Sequence, residues 1–143
     1  MIRIVFPNIE TSKIAKASSE TLWKILTDTT QWVLWGPSIR SVECSHKVIQ
    51  KGSKGRIRTA LGFWLPFEVT DYSPGRFWFW RVGGIRATGH GVEPMTNGWC
   101  RLFFVVPLWA APYVIVCHMA IRRIALLAEM KPKPHVWTGP NSL

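Results

Sequence analysis

The sequence predicts an α+β fold in which a curved antiparallel sheet carries a long C-terminal helix across its concave face, and three observations predict it. Beyond residue 38 the chain divides into short extended runs separated by hairpin-sized turn signals, the pattern of an antiparallel meander. Residues 110–129 contain no glycine and place Tyr113, Val116, Cys117, Ala120, Ile121, Ile124 and Leu127 at helical spacing. Ahead of the meander stand one strand and two short helices. An antiparallel sheet with one apolar face needs a cover, and the terminal helix is apolar enough to provide it.

Taken in order, residues 9–17 alternate as a strand. Ser18 or Ser19 then precedes ETLWKIL, where Glu20 sits in the first turn and Leu22, Trp23, Ile25 and Leu26 cluster on one side, as in a capped amphipathic helix. A second capping signal at residues 27–30 introduces QWVLW, a short helix or turn stopped by Gly36-Pro37. Strands are expected at residues 39–44, 55–61, 65–72, 77–82, 86–93 and 99–106, with turns at Lys51-Gly52-Ser53, Gly62, Ser73-Pro74-Gly75, Gly83-Gly84 and Thr96-Asn97-Gly98. Pro112 suits the first turn of the long helix. The domain therefore spans residues 1–130, and the three prolines and one glycine of residues 131–143 read as a flexible tail.

At 143 residues the chain is one domain with enough material for a core of its own, and 48% hydrophobic residues against 18% charged exclude a disordered chain. Three cysteines without CxxC spacing argue against a disulfide scaffold and point to a reducing, cytoplasmic setting. The N-terminus lacks the apolar core and cleavage site of a signal peptide. Residues 102–121 contain no Asp, Glu, Lys or Arg and match a membrane span in length, but Pro107 and Pro112 divide them into strand, turn and buried helix.

The opening strand, SSETLWKILTDTTQWVLWGPSI, GSKGRIRTALG, the FEVTDYSPGRFWFWRV and TGHGVEPMTNGWCRLFFVVPL hairpins and the last helix together resemble the START-like, or SRPBCC, superfamily, in particular its polyketide cyclase/dehydrase proteins. The resemblance covers residues 9–129 and rests on element order. It implies a helix-grip fold of the Bet v 1-like kind, with a deep apolar cavity between sheet and helix. It also implies a lipid-, quinone- or polyketide-like ligand, which some members cyclise or dehydrate. No catalytic residue carries over by motif. Trp32 and Trp35 fall where relatives often have an aromatic near the cavity entrance.

Strand alternation puts Thr88, His90 and Val92 on one face, and an inward Val92 takes Thr88 and His90 into the cavity. There a neutral His90 would serve as a general base or a hydrogen-bond donor, or simply be a buried histidine satisfied by a carbonyl. Phe77-Trp78-Phe79-Trp80 is aromatic on both faces; the resemblance selects Trp78 and Trp80 for the cavity wall, with Phe63, Phe104, Tyr113, Cys117 and Ile121. The alternative is an aromatic core with no cavity. Phe67, Val69 and Asp71 share one face of their strand; Arg56 and Arg58 share an exposed face of theirs or, with that strand turned over, would recognise a ligand's carboxylate or phosphate.

Neither Cys44 with His46 nor Cys117 with His118 has metal-ligand spacing, and no phosphate-binding glycine loop is present, so no metal and no cofactor are expected. The net charge of +10 suits an anionic membrane surface or single-stranded nucleic acid. Its lysines and arginines are scattered from Arg3 to Lys133, which reads most simply as a solubilising surface. Of the two partners the resemblance favours the membrane, and no oligomeric state is implied. Two functions follow: a carrier of a small hydrophobic molecule, or a cyclase or dehydratase using His90 as acid or base with Thr88 or Tyr113 orienting the substrate. A surface-binding protein without a cavity is the third reading.

Overall fold

The computed structural model describes residues 1–130. Its eight strands form one antiparallel sheet: β1 (Ile2–Val5), β2 (Asn8–Ala15), β3 (Ile39–Cys44), β4 (Lys54–Thr59), β5 (Trp64–Ser73), β6 (Phe77–Val82), β7 (Ile85–Pro94) and β8 (Cys100–Pro107), in the order β1-β2-β8-β7-β6-β5-β4-β3. Between β2 and β3 lie α1 (Ser19–Thr27), a 3-10 turn (Thr29–Gln31) and α2 (Trp32–Trp35). After β8 a second 3-10 segment (Leu108–Tyr113) leads into α3 (Val114–Met130). This is the α+β helix-grip arrangement. The tail expected at residues 131–143 lies outside the described residues.

Two elements differ from the sequence reading. Ile2–Val5, which that reading left without an element, forms a hairpin strand with β2, and all four of its residues are exposed. The long helix begins at Val114 because Ala110 leaves helical geometry and Pro112 sits in the preceding 3-10 segment.

Helix α1 shows how local sequence positions the rest. Ser18 Oγ accepts from the Thr21 amide at 3.1 Å, closing the N-terminus. At the other end, the last four carbonyls of the helix are all satisfied, the first by the closing helical bond and the other three from outside the helix. Lys24 O accepts from the Asp28 amide, Ile25 O from Trp35 Nε1, Leu26 O from Trp32 Nε1 and Thr27 O from the Ile49 amide. Both indoles of α2 are thus tied to α1, which directs their rings into the sheet.

On the concave side α3 buries Cys117, Ala120, Ile121, Ile124, Ala125 and Ala128, and the three alanines let the helix approach the strands closely. On the convex side Phe79 and Phe103 lie over Gly89 and Gly91, whose missing side chains make room for them. A Cβ at Gly91 would stand 2.3 Å from Phe103 Cζ and 2.8 Å from Arg76 O. Gly91→Ala is therefore expected to lower stability by roughly 1–3 kcal/mol, read from the urea midpoint, because a ring and a backbone must both shift.

Candidate ligand site

The site is built where β6, β7 and β8 run side by side. Pairing of Trp78 with His90 and of His90 with Phe104 brings three rings into line across the concave face. His90 stacks on Trp78 with centroids 3.9 Å apart and meets Phe104 edge-on at 4.6 Å. Trp32 enters from α2, stacks on Trp78 at 5.4 Å, meets Trp80 edge-on and tilts against Phe67. Trp35 closes the group against Phe104. Offset and edge-to-face contacts of this kind stabilise beyond area burial alone.

Within this apolar box runs one polar chain. Trp80 Nε1 donates to Thr88 Oγ1 at 3.1 Å, and Thr88 Oγ1 lies 2.8 Å from His90 Nε2. The Thr88 hydroxyl has a second lone pair and a proton of its own, so it meets Nε2 as acceptor or donor according to the imidazole tautomer. Nδ1 of His90 and Nε1 of Trp78 are buried without hydrogen-bond partners. Burial pulls His90 down to about 3, with the nearby Trp78 main chain opposing weakly, so the ring is neutral at physiological pH.

A narrow cleft of about 20 Å³ remains beside this polar floor, room for a single water. Trp35, Trp80, Thr88, His90, Phe104, Tyr113 and Cys117 line it, together with Gly36, Pro37, Ser38, Ile39, Val116 and Ala120, and no carboxylate does. At its mouth Ser38 Oγ and Tyr113 Oη are 2.7 Å apart and join the loop after α2 to the segment before α3. Burial raises the Tyr113 hydroxyl, against the pull of Ser38, and pushes the Cys117 thiol up to about 12, leaving both neutral.

The deep cavity implied by the resemblance is thus occupied by the protein's own rings. Trp32, Trp78 and Ile121 are fully buried and pack behind the cleft instead of lining it. Phe63 is 55% exposed in the turn between β4 and β5, because β5 starts only at Trp64. Asp71 is exposed and Tyr72 packs inward on Trp23, since the pairing of β5 with β6 shifts register between Val69 and Asp71. Arg56 and Arg58 point outward, Arg56 bonding Glu43 at 2.7 Å and covering the Trp64 ring. Val116 and Ala120 were read from the sequence as apolar positions of the long helix but not as site residues, and Ser38 was given no role. Helical spacing already groups Val116 and Ala120 with Cys117, whereas nothing in the sequence pairs Ser38 with Tyr113.

The sequence matches the family described as "Polyketide cyclase / dehydrase and lipid transport" over residues 7–111. The chain belongs to this family. Its fold recurs in protein MLL2253 from Mesorhizobium loti, with a TM-score of 0.70, 12% identity, and 88% of this chain and 99% of that one covered. The protein XoxI from Bacillus cereus gives a TM-score of 0.68 at 10% identity over 87% and 97% of the two chains. A conserved protein of unknown function from Enterococcus faecalis, EF2215, gives 0.65 at 16% identity over 94% and 80%. No curated protein matches the chain. Membership suggests hydrophobic ligand binding, while the neighbours establish the fold alone.

The buried imidazole makes stability depend on pH. His90 titrates at 6.5 when free and at about 3 here, so between these values the unfolded chain binds more protons than the folded one. Its contribution is complete above pH 6.5 and is lost as pH falls toward 3, at no more than about 1.4 kcal/mol per pH unit. In urea titrations, wild type is expected to lose stability relative to His90→Phe across this window. His118, also lowered, is present in both proteins and cancels from the comparison.

Proposed function

We propose that the protein binds one small hydrophobic molecule bearing a carbonyl or hydroxyl group, and that the molecule enters by separating Ser38 from Tyr113. The polar pair Thr88 and His90, buried among aromatic rings beside the cleft, carries this reading. Burying a hydroxyl and an imidazole costs free energy that valine and phenylalanine at these positions would avoid. A ligand's polar atom meeting this floor, with apolar walls around the remainder, gives that cost a use.

Family membership supports a hydrophobic ligand. The neutral state of His90 supports binding over proton transfer, because a base with a pKa near 3 is far from the range efficient at neutral pH. The 2.7 Å contact between Ser38 and Tyr113 joins two segments that both line the cleft, and its opening would give access to the floor. Trp35 and the residues around Ala120 then set the width of the opening.

Menadione, a flat dicarbonyl that quenches tryptophan fluorescence, is the probe. Saturable quenching is expected in wild type, with affinity about five- to tenfold weaker in Thr88→Val, the worth of one hydrogen bond. Ala120→Leu, which fills the cleft from α3, is expected to abolish it. Undiminished quenching in Ala120→Leu would place the binding elsewhere and overturn the reading. Native mass spectrometry of protein purified from cells would identify any compound it retains.

A further inference from the structure

The outer face of α3 poses a question that the cleft does not answer. Leu108–Met130 is long and apolar enough to cross a bilayer, yet only 28% of its apolar window is buried against the sheet. Cys117, Ile121, Ile124 and Ala128 face inward, while Ile115, Met119, Arg122 and Leu126, at the same i, i+4, i+7, i+11 spacing, are exposed on the other side. Trp109, Ile115, Met119 and Leu126 are between 43% and 69% exposed. A helix apolar on both faces is not what water alone favours.

The charges beside this stripe indicate its partner. Arg122 and Arg123 flank the stripe, and the helix has one acid, Glu129, in its last turn. Next to it a groove of about 600 Å³ is lined by Lys13, Arg101, His118 and Arg122 with Ser12 and Ile14. Arg101 is engaged by Glu10 and Glu93, whereas Lys13 and Arg122 make no ion pair among the described residues. His118 bonds Thr11 at 2.9 Å through Nδ1. Burial, the amino terminus, Arg122 and Lys13 all disfavour its charged form, a sign that positive potential converges on this groove. The whole chain carries +10.

The geometry points to a peripheral docking surface for an anionic bilayer: Ile115, Met119 and Leu126 enter the interface, Trp109 sits at headgroup depth, and Lys13, Arg122 and Arg123 meet the lipid phosphates. The helix lies in the plane of the interface and keeps its inner face on the sheet. Tyr113 of the cleft lies in the 3-10 segment that leads directly into this helix. The surface does not depend on ligand binding at the cleft, and its test uses no ligand.

The full chain is sedimented with vesicles of phosphatidylcholine and phosphatidylserine, and in parallel with phosphatidylcholine alone. Expected are binding to the anionic vesicles that weakens with salt, and a loss of roughly tenfold or more in partitioning for Ile115→Glu and, separately, for Met119→Glu. Arg122→Glu should lose affinity for the anionic vesicles, while Leu61→Glu, exposed in the β4–β5 turn, should bind as wild type. Circular dichroism checks that each variant is folded. No binding to anionic vesicles, or binding that both apolar-face variants retain, overturns the proposal. So does a concentration-dependent dimer that the same variants dissociate without any vesicle binding, since a second copy would then be the occupant.

Discussion

The interior depends on two indole N–H groups donating to the C-terminal carbonyls of α1. Trp32 Nε1 reaches Leu26 O at 2.9 Å and Trp35 Nε1 reaches Ile25 O at 3.1 Å, both buried. Each bond satisfies a carbonyl that would otherwise be stranded at a buried helix end, and each fixes the orientation of a large ring. The rings in turn cover Trp78, Trp80, Phe67 and Phe104 on the concave face. One four-residue helix therefore couples α1 to the sheet, and the same contact that completes the core decides how much space remains inside it.

That coupling explains why a family associated with lipid transport has so little open volume here. The aromatic side chains are closely packed, whereas the loop after α2 and the segment before α3 are joined at the cleft through the hydroxyl pair Ser38 and Tyr113. Half-exposed hydrogen bonds of this kind contribute only about 1 kcal/mol, whereas repacking Trp32 would cost several. On the proposed reading, opening would therefore take place where the loop after α2 meets the segment before α3, with Trp32 and Trp78 kept in place behind it. Thr88 and His90 line the cleft in front of these buried rings.

Much of this was legible in the sequence, for reasons that also define what was not. Period-two alternation places Thr88, His90 and Val92 on one side of a strand, and all three are buried. Glycine and proline punctuation located the strands after β1 to within a residue or two, β3 and β6 without error. Asp71 was misread because a bulge leaves no trace in alternation until its partner strand is known. The exposed strand Ile2–Val5 is held through pairing with β2, a long-range fact that local propensity does not contain. Cavity volume is similarly invisible, since aromatic residues that line a pocket and those that fill it are the same residues.

Helix α3 carries a conflict that no single requirement resolves. Its inner face follows from the sheet: small and branched apolar residues at helical spacing, close-packed on the strands. Its outer face should by the same logic be polar, as cheap solubility for a domain already rich in positive charge. It retains Ile115, Met119 and Leu126 instead, and two arginines border them. Long arginine side chains can lie along apolar surface with their charge at the water boundary, which suits a helix at an interface better than one in bulk water. On the proposed docking the two faces would serve two solvents, a dry aromatic core on one side and a lipid headgroup layer on the other. The Ser38–Tyr113 mouth sits at the end of the same segment, where a hydrophobic ligand would pass between those two environments without crossing water.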